Sequence, residues 1–208
     1  MECSFRTKRR QTGMKHSFYL GAEMVVVHPC RQWYYKENNN YDRMIEYNYQ
    51  FYKNLIPYAQ EYQLKIAIEN IRNSVTETAK GLKELLNALN HDVFTVCFDT
   101  GHAHMCMGEA GGMIRELGSC IGCTHIHDND RTDDCHTLPF YGTIDWEDVM
   151  KAFAETGYEG NLNFEAGLFL NRVPPSLRGE SARYMAKVGN YLAERYEYYK
   201  TNKKRKNV

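Results

Sequence analysis

The chain has 208 residues, 43% of them hydrophobic and 25% charged, with 26 Lys plus Arg balancing 26 Asp plus Glu. That composition fits one soluble globular domain and excludes extensive disorder, while zero net charge gives no overall pull toward nucleic acid or anionic lipid. No run approaches the roughly 20 apolar residues a membrane helix needs, and the start, MECSFRTKRRQTG, lacks the apolar stretch of a signal peptide, so no membrane partner is expected and the cytoplasm is the expected compartment.

Short β-branched runs alternate with longer segments of helical period, the pattern of βα units around a parallel sheet. The first run is Glu23 to His28 (EMVVVH). A helix predicted from Asn40 or Asp42 through Tyr62, kinked by Pro57, leads into the second run, Leu64 to Glu69 (LKIAIE). Ser74-x-x-Glu77 has capping-box spacing and opens a helix to about Leu89, ahead of the third run, Val93 to Asp99 (VFTVCFD). The fourth, Cys120 to His127 (CIGCTHIH), carries Cys120-x-x-Cys123, but no second such pair completes a thiolate zinc site. The seven cysteines are odd in number and scattered through apolar segments, which points to thiols rather than a disulfide framework. Asp145 precedes a helical segment, Trp146 to Glu155, that Gly157 terminates; the fifth run follows at Asn161 to Glu165 (NLNFE). An amphipathic helix from Ser181 to Tyr199 and a disordered basic tail over 201–208 close the chain, with no linker between domains.

All five runs end in, or carry close to their ends, a side chain able to bind a metal: His28, Glu69, Asp99, His125 and Glu165. Parallel strands that close into a barrel aim their carboxyl ends at one face, so residues far apart in sequence converge on one pocket. Any one of them alone reads as a satisfied structural histidine or a helix cap. Gathered together, two imidazoles and three carboxylates need a cation to offset their mutual repulsion and desolvation. The mixture suits zinc, manganese, cobalt or iron(II) and argues against a calcium cage. Further candidates lie nearby: His102 and His104 in FDTGHAH, His127 and Asp128 in HIHDND, and Asp134 and His136 in DDCH.

The succession VVVHP, IAIEN, VCFDTGHAH, HIHDND, DCHTLPFYGTIDW and NFE resembles the xylose isomerase-like TIM barrel superfamily, which includes sugar phosphate isomerases and epimerases and the metal-dependent apurinic endonucleases of family 2 type. The resemblance runs from about Ala22 to Glu165 and implies an α/β fold of the (β/α) TIM-barrel type. It also implies one divalent metal (Mn, Zn, Co or Mg) held by Glu69, Asp99, His125 and Glu165, with Glu69 and Glu165 doubling as the catalytic acid/base pair. His102 and Arg131 match substrate-binding positions. The implied activity is isomerisation or epimerisation of a small sugar or sugar phosphate, by proton transfer through a metal-stabilised enediolate.

The endonuclease branch uses up to three zinc ions. His28, His102, Asp134 and His136 match further positions for metal or substrate, so that branch, with abasic DNA as substrate, is the alternative reading. Neutral charge and the lack of a basic stripe make nucleic acid the less expected partner. Pro139 and Gly142 are expected to shape a loop over the site. Val75 stands where some ketose epimerases place another glutamate, which leaves the particular sugar open. The first run resembles the fourth strand of the family, so the chain reads as an N-terminally truncated barrel of about five parallel strands, the first three βα units missing. That predicts a homo-oligomer or completion by strands of another chain, and admits a third reading, an inactive truncated remnant.

Overall fold

Four of the five β-branched runs form strands in the computed structural model, which describes residues 12–30 and 40–206. The chain divides into two compact units between Cys97 and Phe98.

The first unit opens with helix α1 over residues 12–19 and strand β1, Met24–Val27. Helix α2, Tyr41–Tyr52, starts at Asn40, whose side chain accepts from the Arg43 amide. The predicted kink is a full break: a 3-10 turn, Lys53–Leu55, separates α2 from helix α3, Ile56–Glu61. Pro57 lacks the N–H that would continue the ladder and sits at the start of α3, where that donor is not needed. Strand β2, Lys65–Glu69, pairs in parallel with β1, Met24 opposite Lys65 and Val27 opposite Ile68. On its other side it pairs with strand β3, Phe94–Asp99, with Ile66 opposite Phe94 and Glu69 opposite Cys97. Ile66, Ala67 and Ile68 are all fully buried, as a central parallel strand covered on both faces requires.

Between β2 and β3 the helix start differs from expectation. Ser74 accepts from the Thr76 amide and opens only a 3-10 turn, Val75–Glu77. Helix α4, Ala79–Leu89, has its own cap, Thr78, which accepts from Gly81 N, and closes on Asn90 in the left-handed region at φ 43°.

The second unit begins with Phe98 and Asp99, the end of β3, beside strand β4, Ile121–His125. Helix α5, Thr100–Met107, and helix α6, Ala110–Leu117, connect them. Helix α7, Trp146–Thr156, is capped by Asp145 and closed by Gly157, as the sequence predicts. A short helix α8, Gly167–Asn171, precedes helix α9, Arg178–Lys206, which starts earlier than expected and carries residues 201–206 of the expected disordered tail in helical form. Arg115 of α6 bonds both Asp148 and Glu155 of α7, and Arg195 of α9 grips Glu147 of α7. Beneath these ties Phe98 meets Phe153 edge to face, with ring centres 6.1 Å apart.

The fifth run, Asn161 to Glu165, is reduced to one parallel bridge, Ile126 opposite Phe164. A side chain explains the loss. Thr124 Oγ1 donates to Asn161 O at 2.9 Å and accepts from Asn163 N at 3.2 Å, so a hydroxyl takes the place of ladder bonds there. Backbone bonds resume with Ile126 N to Asn163 O and Glu165 N to Ile126 O.

Candidate functional site

Two strand ends of the first unit meet. His28 follows β1 and Glu69 closes β2, and His28 Nε2 lies 3.0 Å from Glu69 Oε2. Glu69 is 1% exposed, His28 mostly exposed. Tyr52 donates to the His28 carbonyl at 2.7 Å and Thr76 to the Glu69 carbonyl at 2.8 Å, which fixes both backbones.

The second unit gathers a larger set. Asp99 ends β3 and caps α5, accepting from the His102 amide at 2.6 Å. One turn of helix later the His102 ring lies back against it, Nδ1 3.4 Å from Asp99 Oδ1. His125 ends β4, and its Nδ1 is 3.0 Å from Glu165 Oε2. Thr100 ties the two strand ends together, its hydroxyl donating to the His127 carbonyl at 2.7 Å and accepting from the His127 amide at 3.0 Å. One ligand atom from each of Asp99, His125 and Glu165 falls within 4.8 Å of the others. Two carboxylates and an imidazole at that spacing form a donor set suited to a divalent transition metal.

A second group lies beside it. His102, Asp134 and His136 also place one ligand atom each within 4.8 Å, Asp134 Oδ2 standing 3.1 Å from His102 Nε2 and 3.3 Å from His136 Nε2. Burial alone would raise the Asp134 carboxyl, but the hydrogen bonds and charge of the two imidazoles hold it well below the usual carboxylate range. The same bond to Asp134 pushes His136 up to about 9 against the opposing effect of burial.

The loop that carries Asp134 and His136 is wired to a buried carboxylate. Asp128 Oδ1 accepts from the amides of Asn129 and Ile144; Oδ2 accepts from Phe140 N at 3.0 Å and Trp146 Nε1 at 2.8 Å. Gly142 lets the chain pass this hub, since a Cβ there would stand 2.3 Å from Asp128 Oδ1. Arg131, His136 and Phe140 all hold positive φ in the same loop, at 70°, 41° and 75°, and Phe140 is fixed there by its amide bond to Asp128.

Within the second unit, then, the structure brings together Asp99, His102, His125, Asp134, His136 and Glu165. Arg131 is placed elsewhere: its Nε donates to the His104 carbonyl at 3.3 Å, and its guanidinium covers Gly108 at the end of α5. Two neighbours carry more of the architecture than the sequence reading gave them. Asp128 is the hub just described. His127, wholly buried, places Nε2 3.0 Å from each oxygen of Asp99 and stacks on His136 with ring centres 4.0 Å apart. Strand alternation holds the signal for it, because residues i and i+2 face the same way and His125 is itself a strand-end candidate.

Parallel strands with helical crossovers, carrying carboxylates and imidazoles at their carboxyl ends, define an α/β protein of the TIM-barrel class. More narrowly, the chain belongs to the xylose isomerase-like TIM barrel family, whose model matches residues 14–187. It is 30% identical over 148 residues to the uncharacterized protein y4fM of Sinorhizobium fredii, covering 70% of this chain and 48% of that protein. It is 29% identical over 99 residues to a D-psicose 3-epimerase of Ruminiclostridium cellulolyticum, covering 47% of this chain and 32% of the epimerase. The solved IOLI protein with a bound zinc atom superposes at a TM-score of 0.72 and 20% identity, over 92% of this chain and 69% of that one. The chain spans about half the length of the curated relatives it matches at greatest coverage. Among the described residues no helix is long and apolar enough to cross a membrane.

Proposed function

We propose that the chain belongs to a divalent-metal-dependent isomerase or epimerase acting on a small sugar or sugar phosphate. The observation that carries this reading is the convergence of Asp99, His125 and Glu165 ligand atoms within 4.8 Å, each from a strand end or the bridge beside one. Glu69, the buried carboxylate that ends β2, is proposed as the fourth ligand, on the pattern the family resemblance implies. Similarity to a D-psicose 3-epimerase supports a sugar substrate, and the zinc of the IOLI structure supports a metal.

When bound, a divalent cation supplies Lewis-acid stabilisation of the negative charge that develops on a substrate oxygen beside the reacting carbon. The chain's own residues do the rest. Of Glu69 and Glu165, the ionised one takes the proton from the carbon next to the carbonyl as general base and the protonated one gives a proton back on the opposite face of the substrate as general acid, so the pair ends with its protonation states exchanged. His102, anchored by its amide on Asp99, has its ring beside the centre to contact a sugar hydroxyl. The test is exchange of solvent deuterium into a ketose at C1 or C3. Exchange is expected with the metal-loaded chain and lost in Glu69→Gln and in Glu165→Gln; retention in both variants rejects the roles assigned to them.

One observation favours a second reading. The His102, Asp134 and His136 group offers a further metal position, as a multi-zinc apurinic endonuclease would require. Elemental analysis separates the two: one metal per chain without nicking of abasic duplex DNA removes the endonuclease, and several zinc ions per chain with nicking removes the epimerase.

A further inference from the structure

His127 is in no proposed ligand set, yet it is among the most tightly enclosed side chains around the centre. Its ring is wholly buried, with Nε2 at 3.0 Å from both Asp99 oxygens, and its Nδ1 is buried without a hydrogen-bond partner. The enclosure is specific on both faces. On one side lies Gly101, where a Cβ would fall 2.0 Å from the ring; on the other lies His136, stacked at 4.0 Å with the planes 6° apart.

His127, His136 and Glu165 also place ligand atoms within 4.8 Å of one another, which raises the question of whether His127 ligates a metal itself. Ring geometry decides against it. An imidazole lone pair lies in the ring plane, and with ring centres 4.0 Å apart and planes within 6° of parallel an ion between the two rings lies out of both planes, off both lone pairs. The Nε2 edge is in any case spent on Asp99.

We propose that His127 is a positioning residue for Asp99. The terminal torsion of an aspartate is broad and roughly two-fold, so the direction of its lone pairs is set by the groups that bond its oxygens. Asp99 has the His102 amide, and the His127 donor centred between its two oxygens adds a second fixed direction. Together they set which lone pairs Asp99 presents to a cation. Orienting partners of this kind hold metal affinity to within the roughly 10- to 100-fold that their removal costs. The inference rests on the metal-centre reading given above.

The test compares the full chain with His127→Phe, His127→Gln and His127→Asn by titration with Co(II), read both as affinity and as the visible d–d spectrum, with near-UV circular dichroism to report folding. Phe keeps the stacked ring and loses the donor; Gln carries an amide N–H at about the reach of Nε2; Asn falls short of it. Expected are a roughly 10- to 100-fold weaker affinity and an altered spectrum for Phe and Asn, with Gln within a few-fold of wild type. Wild-type affinity and spectrum in a folded Phe variant overturn the proposal. Should Phe fail to fold, equal binding by Gln and Asn overturns it and a Gln advantage upholds it. A wild-type chain that takes up no Co(II) overturns the metal-centre reading and this inference with it, whereas wild-type uptake matched by all variants overturns this inference alone.

Discussion

The Nδ1 of His125 lies 3.0 Å from an oxygen of the Glu165 carboxylate, joining the end of β4 to the residue that follows the Ile126–Phe164 bridge. The pair has to separate or share a cation for either atom to ligate, so metal uptake and this contact compete for the same lone pairs. Replacing His125 by Ala is therefore expected to weaken Co(II) or Mn(II) binding by more than the roughly 100-fold upper range of outer-shell changes, measured by isothermal titration calorimetry. An affinity within threefold of wild type contradicts His125 as a ligand.

Asp128 gives the sharpest stability prediction. Its carboxylate is wholly buried and accepts four N–H groups from three stretches of chain. Asp128→Asn turns one acceptor into a donor facing donors, and Asp128→Ala leaves all four unpaired. A loss of about 3 kcal/mol or more is expected for either, the range for breaking a buried charged network. Urea unfolding measures it, and a loss below about 1 kcal/mol refutes the hub.

A pH dependence follows from Arg115. Its bond to Asp148 holds that carboxyl below its usual 3.8, with burial opposing. A depressed carboxylate contributes stability above its unfolded value, and the contribution is lost as pH falls through the folded one. Arg115→Leu is thus expected to cost about 1 kcal/mol at neutral pH, since the pair is partly exposed and screened. The gap from wild type should narrow below pH 3.8. Parallel stability curves across that range would show the ties between α6 and α7 to be electrostatically idle.

How much of this was legible in the residues depends on the range of the interaction. Val25 to Val27, Ile66 to Ile68 and Val96 to Phe98 are strands because β-branched and apolar runs of that length suit a parallel sheet, a local property. Asn40, Asp145 and Gly157 act where the sequence placed them for the same reason. The helix start at Thr78 rather than Ser74 was not separable by pattern, because both positions carry a hydroxyl able to cap. Asn161 to Glu165 fell short of a strand because of Thr124, a side chain distant in sequence whose hydroxyl displaced ladder bonds. The candidate site followed the same division. Asp99, His125 and Glu165 were visible as strand-end residues, whereas the turn of Arg131 toward His104, and the Asp128 hub, depend on the path of one loop.

Gly101 offers a test of that packing. Gly101→Ala would set a methyl 2.0 Å from the His127 ring, within a helix where alanine is otherwise the better residue. Overpacking of this kind costs about 1 to 3 kcal/mol, so the variant should melt lower than wild type by differential scanning calorimetry. A stabilised variant would mean that the His127 ring moves aside freely.

The four bonds to Asp128 have one more consequence. They close residues 129–145 into a hoop whose root is fixed from inside, while Asp134 and His136 ride on the rim. Exchange of rim side chains leaves every root bond in place, so selection can rewrite the chemistry at those positions without renegotiating the fold. A hoop of this kind is a means by which one barrel scaffold supplies many different reactions.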